Sequence, residues 1–127
     1  EQDPMKFQSH QLGSDEWRYR ADLPPAAPST YGASLVSMDD KLYLVGGYYR
    51  ICAQYSIVED AWTLLTQCLS GHQGGAAVRY GDSILLCGGF YSNQIESYNP
   101  AEDKWQEWDL NLPKFLWFHN LRRLTNV

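Results

Sequence analysis

Residues 40–49 read DKLYLVGGYY, and residues 82–91 read DSILLCGGFY. Each stretch starts with a turn-forming Asp, continues as an apolar run typical of a β-strand and ends in paired glycines followed by two aromatic residues. Because the two stretches lie 42 residues apart, they indicate a repeated structural unit.

The repeat extends in both directions from these stretches. Upstream, residues 31–36 align with residues 73–78, and downstream, after one inserted residue, residues 59–62 align with residues 102–105. A partial copy at the front contains Asp15-Glu16-Trp17, which repeats the Asp-x-Trp element. The chain therefore holds two complete units with a partial unit at each end.

Each complete unit contains four short runs of strand-forming residues separated by turn residues. We predict strands at about 33–38, 41–46, 51–55 and 61–66 in the first unit, and at 75–80, 83–88, 94–98 and 104–108 in the second. Four short antiparallel strands, repeated radially, are the architecture of a β-propeller blade. The predicted fold class is all-β, with four-stranded antiparallel blades of an incomplete propeller.

Three recurring features together resemble kelch repeats. They are the paired glycines, a Tyr seven residues before a Trp in each complete unit, and the phrase Ile95-Glu96-Ser97-Tyr98-Asn99-Pro100. The resemblance covers about residues 6 to 124, although Tyr55-Ser56-Ile57 departs from it where kelch units usually have an acidic or amide residue and then Pro. It implies leader residues at 1–5, the C-terminal half of a blade at 6–22, complete blades at 23–66 and 67–110, and the start of a further blade at 111–127.

Residues that recur at one register are interpreted as structural. The paired glycines suit backbone conformations and close approaches that side chains would prevent, and the aromatic residues suit packing between blades. These structural residues are Gly46, Gly47, Gly88, Gly89, Tyr55, Tyr98, Trp17, Trp62 and Trp105.

Composition excludes several classes of protein. The 10 Lys and Arg against 15 Asp and Glu give a net charge of −5, which disfavours nucleic-acid binding. No apolar stretch reaches the roughly 18 residues of a membrane span. The three cysteines, without C-x-x-C spacing, indicate neither a disulfide framework nor a zinc site, so we expect a cytoplasmic protein, with the nucleus as the alternative.

The sequence shows no catalytic constellation, and we predict a protein that is not an enzyme. His10, His72 and His119 stand in different units without carboxylate or Cys partners at ligand spacing, so we expect no metal and no cofactor. The acidic residues fall in turns, where capping explains them. Cys52 and Cys68 lie in or near predicted loops and are candidates for a reactive thiol.

One end of the blades is the candidate binding surface. It holds the connections from second to third strand and from fourth strand to the next unit, which are rich in residues that protein interfaces favour. We call this surface the loop face, and its candidate contact residues are Tyr31, Tyr48, Tyr49, Arg50, His72, Gln73, Phe90, Tyr91, Ser92 and Asn93.

The kelch resemblance implies a module that binds a protein partner. Kelch propellers of this kind commonly follow BTB and BACK domains and act as substrate-recruiting adaptors of cullin-RING ubiquitin ligases, although neither helical domain is visible in these 127 residues. The alternatives are an actin-binding kelch protein and, last, a copper-oxidase-like propeller. We expect the missing blades to come from the parent chain or from other subunits.

Overall fold

The computed structural model describes residues 6–10, 12–90 and 92–110, and all regular secondary structure in this part of the chain is β-strand. The ten strands are β1 (Phe7–His10), β2 (Trp17–Arg20), β3 (Ala33–Met38), β4 (Lys41–Gly46), β5 (Ile51–Ser56), β6 (Ala61–Leu64), β7 (Ala76–Tyr80), β8 (Ser83–Cys87), β9 (Ile95–Asn99) and β10 (Lys104–Glu107). Within these ranges no helix is long and apolar enough to cross a membrane.

The strands form three antiparallel sheets that follow chain order. Strands β1 and β2 form a two-stranded sheet, β3 to β6 form a four-stranded sheet, and β7 to β10 form another. The predicted all-β fold with four-stranded blades of an incomplete propeller is confirmed. The further blade predicted at 111–127 and the leader at 1–5 lie outside the described residues.

Strand β6 ends two residues earlier than the sequence predicts. Beyond Leu64, Leu65 still donates a backbone hydrogen bond to the Cys52 carbonyl, 2.8 Å away, but Thr66 turns away toward the next sheet. The reason is a stronger set of partners there, because both the backbone N–H and the hydroxyl of Thr66 donate to the carboxylate of Asp103.

Apolar side chains fill the space between the two four-stranded sheets. Alternate residues of β4 point to opposite faces, so Tyr43 and Val45 enter this core while Leu44 packs on the other side. This explains why β4 and β8 are apolar at successive positions. The buried members of the core are Val36, Met38, Tyr43, Val45, Cys52, Cys68, Ile84, Leu86 and Tyr98.

A group of polar contacts closes the same interface at its turn end. The Tyr98 hydroxyl donates to Asp103 Oδ1 at 2.6 Å, and the Thr66 backbone N–H donates to the same oxygen at 3.0 Å. The Trp105 indole N–H donates to the Thr66 carbonyl at 2.8 Å, while the Trp105 ring packs on Tyr98 with centroids 4.9 Å apart. We call this Tyr–Asp–Trp arrangement the blade clamp.

The clamp recurs one blade earlier with the same geometry. Tyr55 donates to Asp60 at 2.5 Å, the Ala21 backbone N–H donates to Asp60 at 2.9 Å, and the Trp62 indole donates to the Ala21 carbonyl at 2.9 Å. Both aspartates adopt left-handed backbone conformations, with φ of 50° at Asp60 and 52° at Asp103, which Asp tolerates better than most residues. Each clamp joins one blade to the chain segment that leaves the blade before it.

The clamp also perturbs the acidity of its members. The hydroxyl hydrogen bond of Tyr98, followed by the backbone N–H of Thr66, lowers the pKa of Asp103 below its usual range. Tyr55 and Ala21 lower the pKa of Asp60 in the same way. Burial first, and then the Asp60 contact, raise the pKa of Tyr55 to about 12. The tyrosines therefore remain neutral donors and the aspartates ionised acceptors near neutral pH.

Replacing Trp105→Phe tests the contribution of the indole hydrogen bond. The phenyl ring keeps the packing on Tyr98 but leaves the solvent-exposed Thr66 carbonyl without its protein donor, so we expect the free energy of unfolding to fall by about 0.5–1.5 kcal/mol. Urea unfolding followed by circular dichroism measures the change. Trp17→Phe is the control, because the Trp17 ring is 65% exposed, and it should change stability by less than about 0.5 kcal/mol. Equal effects of the two changes would contradict the clamp.

Acid should weaken the clamp once Asp103 becomes protonated. Because the pKa of Asp103 is lower in the folded than in the unfolded chain, its stabilising effect is present above about pH 4 and is lost as pH falls through the folded value. Thermal melts between pH 7 and pH 2.5 should therefore show a smaller acid-induced fall in melting temperature for Asp103→Asn than for the wild type. Parallel curves for the two proteins would show that Asp103 does not contribute to acid sensitivity.

Candidate functional site

The paired glycines shape the connections of the loop face. Gly47 has a φ of 73° and Gly89 a φ of 114°, and both values favour glycine. A Cβ at Gly47 would lie 2.8 Å from the Tyr31 carbonyl oxygen, and one at Gly89 would lie 2.7 Å from the Gln73 carbonyl oxygen. Tyr31 and Gln73 occupy the same register of the repeat, so in both blades the second glycine allows two connections to pass in contact.

Three tyrosines stand exposed on the loop face of the first blade. Tyr31, Tyr48 and Tyr49 are 65%, 58% and 52% exposed. The rings of Tyr48 and Tyr49 meet edge to face with centroids 4.9 Å apart, and the Tyr48 backbone N–H donates to the Tyr31 carbonyl at 3.0 Å. The structure thus brings these three predicted contact residues together on two hydrogen-bonded connections.

Arg50 follows the tyrosines and is also exposed. Its φ of 60° is unusual for a residue with a side chain, and such strained positions gather at functional sites. Among the described residues 24–32, 47–50, 67–75, 88–90 and 92–94, Arg50 is the one permanently charged residue, while Asp22 and Asp109 lie at the start of the connections that follow β2 and β10. The exposed acidic residues of the described turns lie at the opposite end, and they are Asp15, Glu16, Asp39, Asp40, Glu59, Asp60, Asp82 and Glu102.

The second blade contributes a less exposed part of the loop face. Phe90 is 38% exposed, and its ring lies over Gly74, where an added Cβ would be 3.0 Å from Phe90 Cε2. Its backbone N–H donates to the carbonyl of the partly buried Gln73 at 2.8 Å. Ser92 is partly buried and Asn93 is exposed. Tyr91 lies outside the described residues.

His72 differs from the expectation that placed it on the surface. Its side chain is 0% exposed, with Nδ1 2.8 Å from the Gly88 carbonyl oxygen and Nε2 2.7 Å from Glu96 Oε2. The sequence suggested a polar loop residue, but the connection folds inward at this point because two partners for the imidazole are available in the interior. His72 is therefore wrong as a surface contact and supports the loop face from below.

Glu96 is the residue that sequence reasoning missed. Its carboxylate is buried and accepts hydrogen bonds from the backbone N–H groups of Leu69 at 2.8 Å and Ser70 at 3.1 Å, in addition to its contact with His72. The available signal was an acidic residue in a strand, between Ile95 and Ser97, at the register where the first unit has Ala53. A buried carboxylate requires several donors, and these tie the connection between β6 and β7 to β9.

The three cysteines are buried, which corrects the idea of a reactive thiol at Cys52 or Cys68. Cys52 lies within β5 and Cys68 is 1% exposed. Burial raises the pKa of Cys52 well above its ordinary value, that of Cys68 to about 12 and that of Cys87 to about 11. At neutral pH these thiols are protonated and inaccessible. No group of three His, Cys, Asp or Glu side chains suited to a metal ion occurs in the described ranges.

Thiol titration should reflect this burial. At pH 8 we expect Cys52, Cys68 and Cys87 to react with an aromatic disulfide reagent at least about 100-fold more slowly in the native protein than in 6–8 M urea, because neutral buried thiols are poor nucleophiles. Mass spectrometry of the labelled peptides assigns the rates to each cysteine. Native labelling of Cys52 or Cys68 at the rate seen in urea would contradict their placement.

Comparison with known proteins identifies similar sequences. No protein-family model matches the chain. The chain is 29% identical over 128 residues to Kelch-like protein 23 of Pongo abelii and of Homo sapiens, and 30% identical over 129 residues to Kelch-like protein 23 of Mus musculus. Each alignment covers 96% of this chain but only 22% of the relative, so the chain spans about a fifth of the length of the relatives it matches. With the all-β blades described above, these similarities confirm the kelch-repeat resemblance.

Proposed function

Because the chain carries kelch repeats, we propose that it is part of a kelch propeller that binds a protein partner through the loop face. The observation that carries the proposal is the exposed group of Tyr31, Tyr48 and Tyr49 on connections held by a rigid sheet. Such large exposed apolar rings on one surface are typical of interaction sites.

The physical properties of the group suit an anchor for a partner. Tyrosine offers a large contact area with a hydrogen-bonding end and has few torsions to immobilise on binding. The backbone bond from Tyr48 to Tyr31 holds the two connections together, and the contact between the rings of Tyr48 and Tyr49 restricts these two side chains before any partner arrives. Less conformational entropy is then lost in the complex, which favours affinity.

The distribution of charge also favours the loop face as the surface that binds a partner. The chain carries a net charge of −5, yet its exposed turn carboxylates lie opposite the loop face, and Arg50 is the one permanent charge in the described residues 24–32, 47–50, 67–75, 88–90 and 92–94. An acidic segment of a partner therefore meets less repulsion at the loop face than at the opposite end. Arg50 is a suitable donor to a carboxylate in such a segment.

For the intact protein we propose the role of a substrate-recognition subunit in a cullin-RING ubiquitin ligase, acting in the cytoplasm or nucleus and without enzymatic activity of its own. This role rests on the resemblance to kelch domains of BTB-kelch proteins and on the similarity to Kelch-like protein 23. The loop face would select the protein to be modified, and domains outside this chain would bind the cullin.

A double substitution, Tyr48→Ala with Tyr49→Ala, tests the binding part. In cells that express the tagged intact protein, we expect these changes to reduce recovery of its substrate at least about tenfold while a cullin still co-precipitates. Val58→Ala with Ile57→Ala is the matched control, because both side chains are exposed at the opposite end and their loss should leave substrate recovery unchanged.

Three results would contradict the proposal. Substrate recovery that survives the tyrosine changes would exclude the loop face of the first blade as the binding site. Failure of any cullin to co-precipitate with the intact protein would exclude the ligase role. Co-sedimentation with filamentous actin that the tyrosine changes abolish would assign the surface to the cytoskeletal alternative.

A further inference from the structure

The buried pair of His72 and Glu96 contains an imbalance of hydrogen-bond donors and acceptors. Nδ1 of His72 lies 2.8 Å from the Gly88 carbonyl oxygen, which can only accept a hydrogen bond. Nδ1 must therefore carry a proton. In a neutral imidazole, Nε2 is then an acceptor.

The second nitrogen faces another acceptor. Nε2 of His72 lies 2.7 Å from Glu96 Oε2, and an ionised carboxylate has no proton to donate. A contact this short is favourable only if a further proton lies between the two atoms. The backbone N–H groups of Leu69 and Ser70 also donate to the carboxylate, and donors of this kind stabilise its ionised form. The proton therefore belongs to the imidazole.

We propose that His72 is a buried imidazolium paired with ionised Glu96 at neutral pH, and that the two are positioning residues whose shared proton holds the loop face in its binding geometry. The protonation of the pair stands on the contacts alone, and its consequence for a partner rests on the proposed function. Loss of this proton at alkaline pH would release the connection between β6 and β7.

The contacts of the connection show how the pair reaches the surface. The His72 backbone N–H donates to the Gly47 carbonyl at 2.9 Å, next to the exposed tyrosines of the first blade. One residue further on, the Gln73 carbonyl accepts from the Phe90 N–H at 2.8 Å, and Gly74 donates to the Gly32 carbonyl at 3.0 Å. A displacement of residues 69–74 therefore disturbs the connections of both blades.

The other ionisable groups near His72 and Glu96 do not take up the proton that the pair shares. The Cys68 thiol lies beside Glu96, and burial followed by that carboxylate raises the Cys68 pKa to about 12, so the thiol is neutral. Arg50, on the connection from β4 to β5, is a permanent cation, and its charge acts to lower the pKa of the Cys68 thiol. The connections that contact the His72 ring and backbone N–H do so through Gly88 and Gly47, which have no side chain.

Deprotonation has a definite structural cost. It would leave two acceptor atoms 2.7 Å apart in a site where the His72 and Glu96 side chains are 0% and 2% exposed. The contacts of the pair are therefore complete only while the shared proton is present.

Nitrogen NMR of the intact protein labelled with ¹⁵N-histidine tests the protonation state directly, with the His72 signals identified by their absence in His72→Gln. At pH 7.5 we expect both ring nitrogens of His72 to carry protons, whereas an ordinary exposed histidine titrates near pH 6.5 and is mostly neutral. In Glu96→Gln the amide can donate to Nε2, so one ring nitrogen should lose its proton. Glu102→Gln, an exposed change of the same kind, should match the wild type.

Amide hydrogen exchange tests the coupling to the loop face. The protection of residues 69–74 in Glu102→Gln at pH 6.5 serves as the reference. Between pH 6.5 and pH 9, the protection of these residues in the wild type should fall at least about tenfold beyond the intrinsic effect of pH on exchange. In Glu96→Gln it should not fall. An unprotonated Nε2 in the wild type at pH 7.5 would overturn the inference, and so would equal exchange in the two proteins. Neither result depends on a partner, so the proposed function is judged separately by the tyrosine variants.

Discussion

The blade clamp is the contact on which the arrangement of this chain depends. A single aspartate, Asp103 in one blade and Asp60 in the other, accepts hydrogen bonds from a tyrosine of its own blade and from the backbone that leaves the previous blade. The adjacent tryptophan then donates to the same departing backbone. Because these contacts repeat at one register, successive sheets stack in the same way and their connections emerge at one end.

The loop face follows from this stacking. Sheets held in a fixed relation let connections of different blades pass within hydrogen-bond distance, and the second glycine of each pair removes the side chain that would keep them apart. Gly47 therefore lies beside His72, and Tyr31 beside Tyr48. A rigid scaffold that displays aromatic side chains on short connections is a common arrangement for protein recognition.

The aspartates of the blade clamp and the pair of His72 and Glu96 have different roles. The aspartates of the clamp are near the surface, so solvent moderates their contribution and acid removes it. His72 and Glu96 are enclosed, and each polar atom of the pair must find a partner within the protein. The first group joins blades, whereas the second joins the connections that form the loop face.

The sequence by itself determined the repeat, the all-β fold and strand positions to within two residues, because paired glycines, apolar strands and Asp-x-Trp turns are local signals that recur at a fixed spacing. It also indicated which end of the blades carries Tyr48, Tyr49 and Arg50, since strand parity assigns each connection to an end. Only the tertiary structure decided which of these side chains are buried. His72, Cys52 and Cys68 read as polar or loop-borne residues, but their exposure depends on Glu96 and on the neighbouring sheet, which lie far away in sequence and meet them only after folding.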